Sequence, residues 1–144
     1  MATRPLSPHL TVWKWGPGML TSILHRATGD GLMLVGLPVL LWWLYAIASG
    51  PAAYETFTSW MWADLGSLDW GWPALAVSFV QALLKLVVIG LSWAFFNHLC
   101  SGIRHFVLDM GAGYEVDTNN RWSVMTTVGG IVLTAAFWAA LLLL

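Results

Sequence analysis

Three stretches of the chain are apolar without interruption over lengths that suit helices crossing a membrane. Gly31 to Ser49 runs 19 residues with no charged side chain. Pro73 to Ile103 runs 31 residues broken only by Lys85, and Ser123 to Leu144 runs 22 uncharged residues. At about 1.5 Å of rise per residue, each is long enough to cross a hydrocarbon core of about 30 Å. None shows the alternation of a half-buried strand or the polar face of a soluble amphipathic helix. The pattern predicts an all-α membrane protein with three transmembrane helices over about 27–49, 73–104 and 123–144, in a single domain covering 1–144. Ahead of the first run, Arg4, Pro5, Pro8 and His9 do not build the apolar core of a cleaved signal. An interfacial N-terminal segment is expected there, with Trp13 and Trp15 at the headgroups.

Composition narrows the field further. The chain is 58% hydrophobic and 9% charged, with a mean hydropathy of +0.72, whereas soluble domains hold about 45–50% apolar and about 25% charged residues. A net charge of -1 leaves no basic face for nucleic acid, and so apolar a chain is not a disordered one. The single cysteine, Cys100, excludes a disulfide scaffold, a Cys-ligated zinc site and covalent haem attachment. With no cysteine set and no Rossmann-type glycine motif, neither iron–sulfur nor flavin chemistry is expected on this chain.

The few charges set an orientation. Arg4, Lys14, Arg26, Arg104 and Arg121 fall on one side, whereas the 50–72 loop carries Glu55, Asp64 and Asp69 and no Lys or Arg. Positive residues stay inside, so the N-terminus and the 104–122 loop are expected in the cytoplasm (or matrix) and the C-terminus outside, which in a bacterial inner membrane is the periplasm. Lys85, 19 residues before Arg104, would then snorkel to the outer interface, about 28 Å away along a helix. Seven of the eleven tryptophans, Trp13, Trp15, Trp60, Trp62, Trp70, Trp72 and Trp122, flank the runs as interfacial anchors do. Trp42, Trp43, Trp93 and Trp138 lie within spans and are free to pack on a partner or cofactor.

Ionisable groups inside a span are costly and mark candidate function. His98 lies six residues before Arg104, about 9 Å below the inner interface. It is either a hydrogen-bonded packing residue or a ligand to a metal or haem, with its second nitrogen left for an orienting bond. His105 lies seven residues further on, on the same face but about 10.5 Å away, too far to share one iron. With Arg104 it could meet acidic groups such as haem propionates, or simply mark the end of the span. His9 and His25 lie outside the apolar runs, and no histidine falls in the first or third span. If an iron here has two histidine ligands, another polypeptide must supply the second. Ser22 and Arg26, four apart at the start of the first helix, face the same way. They could hydrogen-bond a quinone carbonyl and stabilise charge on its reduction, or be a helix start and a topology-setting arginine.

Two segments carry a family resemblance. Arg4-Pro5-Leu6-Ser7-Pro8-His9-Leu10 precedes Ser22-Ile23-Leu24-His25-Arg26-Ala27-Thr28, and later comes His98-Leu99-Cys100-Ser101-Gly102-Ile103-Arg104-His105-Phe106-Val107-Leu108-Asp109. Their order and spacing resemble the cytochrome b556 subunit family of succinate dehydrogenase, with its R-P-L…S-x-x-H-R-x-[ST] and H-x-x-x-G-I-R-H…D patterns. Departures are Leu108, where an aromatic residue or Met is usual, Trp13 for a common Tyr, and the charge of Asp30.

The resemblance implies one half of a heterodimeric haem-binding helical bundle. His98 would be an axial ligand of the iron of one haem b, with the second ligand from a small hydrophobic partner subunit. His25 and His105 would lie near the haem propionates. Ser22 and Arg26 would line a ubiquinone site completed by that partner and an iron–sulfur subunit, with Asp109 in a polar role at the quinone end. Succinate would be oxidised on a flavoprotein subunit and its electrons passed to ubiquinone, with no bond-making catalytic residue on this chain. The alternatives are a fumarate reductase anchor, which runs the reaction backwards, and a cofactor-free structural membrane protein.

Overall fold

The protein is described from a computed structural model, over residues 14–62, 64, 66 and 68–143. Arg4 to Leu10, Trp13 and Leu144, on which parts of the sequence reading rest, lie outside the described residues. Among the described residues all regular structure is helical, in four segments: α1 (Pro17–Ser49), α2 (Pro51–Met61), α3 (Leu75–Asp109) and α4 (Val116–Leu143). The three long helices have 33, 35 and 28 residues, about 50, 52 and 42 Å of rise, so each can cross a bilayer. This is a multi-pass α-helical membrane protein.

The first helix begins earlier than its apolar run. Pro17 sits in its first turn, where a missing N–H costs nothing, and the backbone stays helical through Arg26 and Asp30 into the span. One turn is widened: over Leu32–Gly36 the bonds are of π type, and the Leu37 N–H reaches back to the Leu32 carbonyl. The cause lies just beyond, because Pro38 donates no bond and its ring crowds the carbonyl four residues earlier.

The 50–72 region, expected as a loop, holds α2. Gly50, at a φ of 101°, turns the chain back on itself, and Pro51 starts the new helix. Trp42 of α1 meets Phe57 of α2 edge to face at 5.0 Å. Gln81 of α3 donates to the Ser59 carbonyl at 3.1 Å and ties the end of α2 down.

Burial runs opposite to that of a soluble protein. Apart from Met61 on α2, the buried positions among the described residues are small or polar, including Thr21 and Thr28 on α1, Ala94, Asn97 and Ser101 on α3, and Ser123, Thr126, Gly130 and Thr134 on α4. Large apolar side chains such as Leu34 and Phe106 stand more than 70% exposed, as they would against lipid. Membrane helices associate by close backbone approach and interhelical hydrogen bonds, and both are present. A Cβ on Gly130 would sit 2.9 Å from the Asn97 Cα, and the Thr21 hydroxyl lies 3.2 Å from the Ser123 carbonyl across α1 and α4. The Asn97 amide and the Ser101 hydroxyl are enclosed in this seam without a side-chain or backbone partner among the described residues.

The seam does not run the full length of the bundle. Before the π turn α1 packs on both α3 and α4; after it, α1 packs on α2. The space left between the α1–α2 hairpin and the α3–α4 pair is a cavity of about 880 Å³, walled by Leu37, Trp43, Phe57, Met61, Phe95 and Phe137 among others. At its rim Trp62 stacks on Trp138 at 5.3 Å, and the Trp138 indole donates to the Ser92 hydroxyl at 2.8 Å. Trp42 and Trp138 therefore pack against this chain itself. Lys85 Nζ lies 5.7 Å from the Trp62 ring centre.

Candidate functional site

His25, His98 and His105 converge at the closed end of the bundle. The His25 ring from α1 lies parallel to His98 from α3, with centroids 4.0 Å apart and planes 9° apart. His105, two turns along α3, meets the other part of this ladder, 5.0 Å from the His25 ring and tilted by 58°. His25 thus bridges two residues of α3 that cannot reach each other. It joins them because α1 is already helical at residue 25, which hydropathy alone does not reveal.

The geometry around His98 decides what its ring can do. Its Nδ1 lies 3.1 Å from the His25 backbone carbonyl. A carbonyl only accepts, so Nδ1 carries the proton and the lone pair of the neutral ring is on Nε2. The Thr28 hydroxyl is 3.4 Å from the same Nδ1 and 2.6 Å from the Leu24 carbonyl, to which it donates. Nε2 makes no hydrogen bond among the described residues. A metal-ligating histidine needs this arrangement, one nitrogen held by an acceptor and the other free. Gly29 makes room for it: a Cβ there would come within 2.9 Å of the His98 Cε1. Thr28 and Gly29 follow His25-Arg26 in the sequence, but their part becomes visible only once α3 is laid against α1.

Arg104 reaches across to α4, where its guanidinium donates to the Asn119 side-chain carbonyl. Its Nε is buried without a partner, and so is His25 Nδ1. Buried donors of this kind cost free energy unless something accepts from them. The unpartnered His25 Nδ1 belongs to the ring stacked on His98 and fits a haem with acidic propionates, whereas Arg104 is turned toward α4.

Ser22 and Arg26 are placed differently. They share a face of α1, but it is turned about 130° from the Thr21–Thr28 line that enters the seam. Ser22 is half-buried and Arg26 exposed, and neither side chain bonds to another described residue. The structure does not bring them to the histidine ladder. Asp109, at the end of α3, is exposed. The described residues hold no group of three or more His, Cys, Asp or Glu that could bind a bare metal ion.

Comparison with known proteins agrees with this class of multi-pass membrane protein. Residues 2–137 match the family described as succinate dehydrogenase/fumarate reductase transmembrane subunit. The succinate dehydrogenase cytochrome b556 subunit of Rickettsia conorii is 32% identical over 135 residues, covering 94% of this chain and 90% of that protein. The corresponding subunit of Paracoccus denitrificans is 32% identical over 131 residues, covering 90% and 85%. The mitochondrial cytochrome b560 subunit of Mus musculus is 33% identical over 119 residues, 80% of this chain and 58% of that protein. The chain belongs to the succinate dehydrogenase/fumarate reductase transmembrane subunit family, and is thus a membrane subunit of an oxidoreductase complex that works with the other subunits of that complex.

Proposed function

We propose that this subunit holds one haem b through His98 and presents ubiquinone to electrons that the other subunits draw from succinate. The observation that carries this reading is the His98 Nδ1 contact with the His25 carbonyl at 3.1 Å, which leaves Nε2 as a preset ligand. A b-type haem, when bound, would supply a one-electron reservoir. The names of the relatives, cytochrome b556 and cytochrome b560, support the same cofactor. His25, His105 and Arg104 take the propionates, which gives the buried Nδ1 of His25 and Nε of Arg104 their acceptors. His25 and His105, the other described histidines, are assigned to the propionates, and the family resemblance assigns the second iron ligand to a small hydrophobic partner subunit.

Ser22 and Arg26 hold the quinone on the outer side of α1. The hydroxyl and guanidinium donate to a quinone carbonyl, and the positive charge stabilises the oxygen as electrons arrive. Among the described residues no element covers this face, and the partner anchor and the iron–sulfur subunit close the site. Flavin chemistry stays on the flavoprotein subunit. The cation distribution supports a cytoplasmic N-terminus and a periplasmic C-terminus, with the spans of α1, α3 and α4 in a bacterial inner membrane.

The test is His98→Ala in the assembled complex. The expected result is loss of the b-type band in the reduced-minus-oxidised spectrum, with all subunits still co-purifying. A band of wild-type amplitude overturns the ligand assignment.

A further inference from the structure

We infer that a short stretch of α1, His25 to Gly29, sets the electron affinity of the haem through the unliganded side of the His98 ring. The inference rests on His98 being the haem ligand and goes beyond it, because it assigns tuning to positioning residues on a different helix.

Three contacts define the device. The His25 carbonyl accepts from His98 Nδ1 at 3.1 Å. The Thr28 hydroxyl, its own proton given to Leu24, turns an oxygen lone pair toward the same Nδ1 at 3.4 Å. Gly29 leaves the notch in which the ring edge rests, since any Cβ there would stand 2.9 Å from Cε1 and 3.4 Å from Nδ1. The His25 ring covers one face of the imidazole at 4.0 Å, so the ring cannot swing that way.

Hydrogen bonding at Nδ1 makes an imidazole a stronger donor at Nε2. Stronger donation favours the ferric over the ferrous state and lowers the potential. Anything that pushes the ring off the His25 carbonyl weakens that donation and raises the potential. The same helix carries Ser22 and Arg26, so α1 links the quinone face and the haem ligand through one rigid backbone.

Gly29→Ala and Gly31→Ala form the deciding pair. Both add one methyl group to the same helix, but a Cβ on Gly31 meets nothing within 4 Å. In the complex purified with its partner subunits, Gly29→Ala is expected to raise the reduced-to-oxidised haem ratio several-fold at a fixed ambient potential. Its low-spin electron paramagnetic resonance spectrum should shift as well, while Gly31→Ala matches the wild type. Thr28→Val, which keeps the shape and removes the oxygen, should move the ratio in the same direction by less. It decides the matter if Gly29→Ala fails to assemble. Wild-type ratio and spectrum in Thr28→Val and in any assembled Gly29→Ala overturn the inference, and so does an equal shift in Gly31→Ala. His98→Ala, measured alongside, separates this from the underlying reading: if it retains the wild-type haem spectrum, the ligand assignment itself has failed.

Discussion

The two ends of this bundle are built on opposite rules. Where α1, α3 and α4 meet around His98, the contacts are made by glycine, serine, threonine and asparagine, and helix backbones come close. Where α1 leans on α2, the contacts are made by tryptophan, phenylalanine and leucine around an open cavity. Large side chains fill volume but hold helices apart, and in lipid they gain little by meeting each other rather than acyl chains. Small polar residues fix the distance between backbones, which a ring seated on a neighbouring helix requires. Chemistry is therefore expected where the side chains are smallest.

Substitutions at the two ends should differ accordingly. The largest effect belongs to the exposed flank of the closed end: Arg26→Ala should lower quinone reduction roughly a hundredfold, the worth of one donor aimed at developing charge. Succinate-dependent reduction of an artificial dye should persist, and equal loss of both would instead mean failed assembly. Next is Gly130→Val, whose added carbons must push α3 from α4 at Asn97. Overpacking of this kind costs about 1–3 kcal/mol, read as a lower melting temperature of the detergent-solubilised complex and loss of haem in proportion. At the open end, Trp62→Leu removes the stack on Trp138 and should cost about 1 kcal/mol, with the haem spectrum unchanged. A haem shift there would erase the distinction between the two ends. Smallest is Thr21→Val, which deletes the hydroxyl shared with the Ser123 carbonyl and should cost about 0.6 kcal/mol.

How much of this could be read beforehand differs residue by residue. The three long helices announce themselves because charge is excluded from them. The α2 helix does not, since Glu55, Thr56, Thr58 and Ser59 interrupt its apolar residues. Its stripe of Tyr54, Phe57 and Met61 was present at helical spacing and now lines the cavity. Ser22 and Arg26 could be seen to share a face, but not that this face turns away from the histidines. That depends on which side of α1 enters the seam, and Thr21 and Thr28 decide it by bonding inward. His98 stood out as the one histidine in an apolar run. Its partnership with His25 was hidden because His25 precedes the run, and hydropathy says nothing of a helix that starts before it.

The widened turn at Leu32–Gly36 also makes α1 discontinuous in phase. A π turn holds one residue more than an α turn, so a 3.6-residue count carried across it misplaces every later side chain by about 100°. Deleting a single residue inside that turn should leave both halves pointing as they do now. The same deletion between Thr21 and Thr28 would swing His25 away from the His98 ring, so the helix tolerates a change of length at one turn and at few others.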